Sequence, residues 1–159
     1  MPYLTGEQSP IWDTRARGVF YGVGLESGYH SFIRAVLEGV AYSQRHCMDV
    51  VLPQTARPGI IPLGGGAANS PLWCRIFADV LNMPVARLES NETETLGDII
   101  IAAQAMGIKE IPPDFGRKLA ANGQVFLPDP VNVSVYEEQY TVYRELYQSL
   151  KPVFARVTG

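Results

Sequence analysis

The stretch IIPLGGGAANSPLW, residues 60–73, sets an apolar run against three glycines, an Asn, a Ser and a Pro, and then opens an apolar helical pattern. An apolar run that stops at glycine reads as a buried strand. Ser70 followed by Pro71 reads as a helix start, because proline is tolerated in the first turn and serine caps orphan N–H groups. The bare backbone between them is a strand-to-helix turn. Working outward, GIIPL (59–63) is the strand before it, with Pro62 removing one ladder donor. Trp73, Ile76, Phe77, Val80 and Leu81 recur at helical spacing after it, and Asn82 closes that helix. PVARL (84–88) is the next strand, and Leu96, Ile99, Ile100 and Ala103 mark a helix that stops at Gly107.

Upstream, GVFYGVGL (18–25) is β-branched and aromatic and reads as a further strand. A long helix follows, its stripe running from Tyr29 through Phe32, Ile33, Val36, Leu37 and Val40 to Cys47, Met48 and Val51, and Pro53 ends it. Strand followed by helix three times over predicts an α/β fold with a parallel sheet, three central strands flanked by helices. Residues 1–159 read as a single domain: an irregular lead-in at 1–17, an α/β core at 18–107, a loop-rich segment at 108–133 with four prolines, and a last helix at 134–156. Tyr136, Tyr140, Tyr143 and Tyr147 share one face of that last helix and predict the seam by which it docks.

Composition excludes several classes of function. With 159 residues, 47% hydrophobic and 18% charged, the chain has the profile of a soluble globular domain able to bury a core. The formal charge is −3 and the arginines are scattered singly, which disfavours nucleic acid as a partner. Cys47 and Cys74 have no CxxC spacing, so neither a disulfide framework nor a metal site is indicated, and a reducing cytoplasm fits. No run approaches the ~18 apolar residues of a membrane span, and no leader pattern is present at Met1.

In parallel α/β folds ligands sit beyond the carboxyl ends of the strands, and a glycine turn at a helix N-terminus lets an anion approach the backbone N–H groups. A phosphate is the guest this chemistry suits. Three glycines also serve a tight turn or close packing, and the motif alone leaves both readings open. It is neither a Walker A loop, since no Lys-Ser/Thr follows, nor a GxGxxG fingerprint.

Four ordered stretches resemble a known family: PYLTGEQSPIWDTRARGVFYGVGL (2–25), FIRAVLEGVAYSQRHCMDV (32–50), GGGAANSPLWCRIFADVLNMPV (64–85) and ETLGDIIIAAQAMG (94–107). In order and spacing they are similar to the C-terminal domain of the FGGY carbohydrate kinases, nearest to the xylulokinase-like branch. The resemblance implies an actin-like, ribonuclease-H-like ATPase fold, present here in part, and transfer of the ATP γ-phosphoryl group to a sugar hydroxyl, a xylulose-like pentulose first among candidates. It implies ATP and Mg²⁺ as cofactors, with the Mg²⁺ ligands largely outside this chain. Gly64, Gly65 and Gly66 then form the phosphate-facing backbone, with Ala67 and Asn69 near the nucleoside.

The same resemblance puts the catalytic Asp and the sugar contacts upstream of Met1, so no catalytic residue is assigned within the chain. The match starts inside a motif, and the chain therefore reads as an excised piece or a truncated gene product. The implied sheet order sets two upstream strands between 18–25 and 59–63. The chain alone is accordingly expected to lack sugar kinase activity and to self-associate, swap elements or require the missing amino-terminal lobe.

Other conspicuous residues have plainer readings. Trp73 can stack on adenine, but on an apolar helix stripe it is more often core. Glu92 and Glu94 suit a helix first turn. Gly97 permits close packing or ligand approach. His30 and His46 lack ligand-spaced partners and read as structural. Asp13 with Arg15 and Arg17 reads as a loop-anchoring ion pair. Two alternative functions stay open: a nucleotide-binding or regulatory module without catalysis, and a plain α/β interaction domain.

Overall fold

The structure, a computed structural model, describes residues 1–54, 58–88, 93–108 and 123–156. The chain divides into two units, Met1–Arg57 with Asp129–Gly159, and Pro58–Pro128.

The first unit is built on two long helices. α1 spans Tyr29–Val51 and runs into a 3-10 turn, Leu52–Gln54, that contains Pro53. The last helix, α5, spans Pro130–Phe154. It begins four residues before the expected start, because Asp129 accepts from the Val131 N–H at 2.9 Å and Pro130 occupies the first turn. Tyr136, Tyr140, Tyr143 and Tyr147 are all buried on its docking face, as the spacing predicts. Tyr42 of α1 lies against three of them, with ring centroids 5.3–6.1 Å apart.

The hydroxyls of this seam are matched to carboxylates. Tyr136 donates to Glu38 at 2.8 Å, Tyr140 to Asp49 at 2.6 Å and Tyr147 to Asp13 at 3.0 Å, while Tyr143 shares a 2.6 Å bond with the Tyr3 hydroxyl. A buried tyrosine keeps its apolar ring contacts only if its polar tip is also satisfied, and here every tip is. Burial, with Glu38 adding to it, pushes the Tyr136 hydroxyl up to about 12. The Arg45 guanidinium lies over the Tyr140 ring at 4.2 Å and pairs with Glu137 at 2.6 Å.

The lead-in at 1–17 carries only isolated bridges among its residues, such as Glu7 to Asp13. Asp13 anchors it, though not as the expected ion pair with arginine side chains. Its carboxylate accepts from the Arg15 backbone N–H at 2.9 Å as well as from Tyr147, and Arg17 bonds the carbonyls of Thr14 and Ala16.

Residues 18–25 do not form the expected strand. A strand exists through its ladder, and the backbone bonds of this stretch join Val19 to Met1 and close a turn at 24–27. Tyr21 is 70% and Val23 56% exposed, and Gly22 turns the chain at φ +73°.

The second unit carries a three-stranded sheet: β1 (Ile61–Leu63), β2 (Val85–Arg87) and β3 (Gln124–Phe126), in the order β1-β2-β3. β1 and β2 are parallel, but β3 joins antiparallel, so the sheet is mixed and not all parallel as expected. The third strand therefore comes from the stretch read as loop-rich. Three residues between prolines carry too short a pattern to announce a strand. Among the described residues β1 pairs only with β2, and Ile61, not Pro62, donates to the Pro84 carbonyl there, so the proline costs this ladder no donor.

Between β1 and β2 lie the short α2 (Gly65–Ala68) and α3 (Pro71–Leu81). Ser70 accepts from the Trp73 N–H at 3.3 Å, and Asn82, at φ +48°, closes α3 with bonds to Asp79 and, through Met83, to Ala78. α3 buries Cys74, Ile76, Phe77, Val80 and Leu81, each large apolar side chain contributing about 1.5–3 kcal/mol, beside the buried Val85 and Ala86 of β2. α4 spans Thr93–Ala105 and ends before Gly107, at φ +70°. Glu92 lies outside the described residues and Glu94 falls in the first turn of α4. Among the described residues no helix is long and apolar enough to cross a membrane.

Candidate functional site: the glycine turn after β1

The strand end, the turn and two helix starts are laid down by consecutive residues. β1 stops at Leu63, and Gly64, in extended conformation, caps α2. Gly65 sits at φ +69°, a region that penalises any Cβ, so this glycine is demanded by the backbone. Gly66 is different. It is exposed, its φ lies outside the left-handed region, and a Cβ built on it meets nothing within 4 Å. Among the described residues neither backbone nor packing requires a glycine there, although glycine in a helix costs about 0.5–1 kcal/mol relative to alanine.

Ala67 is half-buried, Ala68 is buried and Asn69, exposed, ends α2 as its C-cap. From below, the buried Cys74 thiol reaches the carbonyls of Ala68 at 3.7 Å and Ala67 at 3.9 Å. Burial pushes that thiol's pKa up, with the positive charge of Arg87 opposing, so it stays a neutral donor. The carbonyl side of the turn is thus tied to α3. The opposite side presents the first N–H groups of α2, which have no intrahelical acceptor.

The structure brings Gly64, Gly65, Gly66, Ala67 and Asn69 together on this one turn. Trp73 lies one turn into α3, half-buried, its ring 6.1 Å from that of Phe77. The arginine reading of the sequence did not single out Arg87, which pairs with Leu63 across the β1–β2 ladder and so stands at the strand end from which the turn departs. Its place in PVARL, at the end of the strand parallel to GIIPL, is the signal that could have found it.

Elsewhere, among the described residues nothing lies within 4 Å of a Cβ added at Gly97. His46 has a lowered pKa, from burial first and the Arg144 charge second, and its Nδ1 is buried without a hydrogen-bond partner. Among the described residues no group of three His, Cys, Asp or Glu is arranged to hold a metal ion.

Residues 1–106 match the model of the C-terminal domain of the FGGY family of carbohydrate kinases. The chain belongs to that family. FGGY kinases are phosphotransferases, and the partial α/β architecture seen here is that of their actin-like, ribonuclease-H-like fold. The chain is 31% identical to the xylulose kinase of Staphylococcus epidermidis over 154 residues, 97% of this chain and 31% of that protein. It is 32% identical to the Escherichia coli xylulose kinase over 161 residues, 98% of this chain and 32% of that protein. The structure of ligand-bound xylulose kinase from Lactobacillus acidophilus matches with a TM-score of 0.79 at 27% identity, over 99% of this chain and 32% of that one. The chain thus spans about a third of the length of the FGGY kinases it matches.

Proposed function

We propose that residues 1–159 are the ATP-binding C-terminal lobe of a carbohydrate kinase, with the backbone of Gly64, Gly65 and Gly66 facing the nucleotide phosphates and Ala67 and Asn69 near the nucleoside. The observation that carries this reading is Gly66, a glycine that nothing among the described residues requires but to which a ligand could come close. Charge-assisted bonds from backbone N–H groups to phosphate oxygens suit such a turn, and Arg87 adds positive charge at the strand end.

The turn fits a phosphate and supplies no carboxylate of its own, so Mg²⁺, when bound with ATP, would be held chiefly by the phosphates and by groups outside this chain. The sugar, a pentulose such as xylulose by kinship, would likewise be bound elsewhere. By itself the chain neither abstracts a hydroxyl proton nor transfers phosphate, and its unpaired edges favour self-association. We read it as a cytoplasmic metabolic enzyme lobe.

Calorimetric titration of ADP into the chain tests the reading. Weak saturable binding, abolished by substitutions in the 64–69 turn, supports it. Absence of ADP and ATP binding leaves the plain α/β interaction domain. A coupled assay with xylulose should give no turnover.

A further inference from the structure

The face of α1 that meets α5 carries one group that the seam leaves unsatisfied. Tyr42, Arg45, His46 and Asp49 stand at i, i+3, i+4 and i+7, a single stripe of the helix. Tyr42 lies against Tyr136, Tyr140 and Tyr143, Arg45 lies over the Tyr140 ring, and Asp49 accepts from the Tyr140 hydroxyl at 2.6 Å. The Nδ1 of His46 is buried and has no hydrogen-bond partner among the described residues.

A neutral imidazole tolerates that setting and a charged one does not. In the neutral ring one nitrogen carries no hydrogen, whereas protonation puts an N–H on both, and the one on Nδ1 would face no acceptor. The surrounding charges decide how strongly protonation is opposed. From α5, Arg144 repels an imidazolium. From α1, Asp49 attracts it, but that carboxylate already accepts from Tyr140 and lies 4.0 Å from the Arg144 guanidinium. Arg45 is paired with Glu137, and the lead-in carboxylates Glu7 and Asp13 accept from Ser43 and Tyr147. Burial foremost, and Arg144 after it, hold the His46 imidazole below its ordinary pKa of 6.5. The folded chain therefore binds fewer protons there than the unfolded one, so the contribution of the residue is complete above 6.5 and is lost as pH falls below that value.

We propose that His46 is an acid-sensitive latch on the tyrosine seam: a proton on its buried nitrogen is accommodated only when α5 moves off α1, so the seam opens in mildly acidic solution while the second unit stays closed. The latch is set by α1 and α5 alone. It rests on neither the glycine turn nor the kinase reading of the chain.

Amide exchange in the full chain reads the opening directly, followed by NMR at about pH 7.5 and about pH 5.5 and corrected for the intrinsic pH dependence of exchange. Protection at Tyr140, Tyr143 and Arg144 of α5 should fall several-fold towards the acid, up to the roughly tenfold that one proton allows over the pH unit below 6.5. Phe77 and Val80 of α3 should keep theirs. His46→Phe retains a ring with nothing to titrate and should show no fall. Should that variant not fold, Arg144→Gln, at a half-exposed side chain, serves in its place. Loss of the repelling charge should raise the pH at which the His46 ring titrates by NMR and shrink the fall in protection. The proposal is overturned if the parent protects α5 equally at both pH values, if His46→Phe loses as much protection as the parent, or if α3 opens in step with α5. It is also overturned if Arg144→Gln leaves the titration of His46 where it was.

Discussion

Replacing Gly66 with alanine separates a ligand-binding turn from a merely tight one, because the two roles move two measurements in opposite directions. The new Cβ meets nothing within 4 Å, and the position needs no left-handed backbone. Folding should therefore gain about 0.5–1 kcal/mol from the lost flexibility of the unfolded chain. For a domain of this size that corresponds to a melting temperature higher by about 1–4 °C. A phosphate oxygen bonded to the N–H groups of the turn has no room for the same methyl group. Loss of one bond to a charged partner, about 1.5–3 kcal/mol, weakens ADP binding about ten- to hundredfold. Thermal melting and calorimetric titration of the same sample read both effects. Unchanged affinity for ADP would refute the ligand role of the turn, and a lower melting temperature would refute the structural argument. Gly65→Ala is no substitute, since at φ +69° it costs about 1–2 kcal/mol of strain and should lower both quantities.

Asn69→Ala, at an exposed C-cap, should weaken ADP binding by about 0.5–1.5 kcal/mol with little change in melting temperature, and a sharp fall in melting temperature would make the residue a structural cap. Tyr136→Phe removes the hydroxyl that donates to Glu38 and accepts from Arg34 at 2.8 Å, and chemical denaturation should record a loss of about 1–2 kcal/mol. Asp13 has its pKa lowered, by the Arg15 backbone N–H foremost and by Tyr147 in support, so its contribution is complete above the unfolded value of 3.8 and disappears as pH falls below it. An Asp13→Asn variant should show a flatter loss of stability than the parent between pH 4 and pH 2, measured by denaturant unfolding at each pH; parallel curves would discard the linkage.

Residues that act locally were legible in the sequence. Ser70 and Pro71 open α3, Asn82 closes it and Pro53 follows the end of α1, because caps and breakers act on their immediate neighbours. The tyrosines of α5 were also legible as one buried face, since helical period alone aligns them. What escaped depends on partners distant in sequence. Residues 18–25 have the composition of a strand, yet a strand forms only beside another. Gln124–Phe126 has little strand pattern of its own and is recruited by β2. Within the candidate turn the three glycines look alike in sequence, and only backbone geometry distinguishes Gly65, required by its φ, from Gly66, required by nothing among the described residues.

The tyrosine seam has a consequence for the order in which the chain can fold. Roughly eighty residues of sequence separate the end of α1 from the start of α5, and the whole second unit lies within that interval. During synthesis α1 emerges with Tyr42, Glu38 and Asp49 lacking the tyrosines of α5 that they meet in the fold, while β1, α3 and β2 find their partners within a short span. Local pairings close before distant ones, so the unit built around the glycine turn should consolidate first and α5, made last, should complete the other. In a released chain that ends at Pro128, the second unit should resist protease and α1 should not.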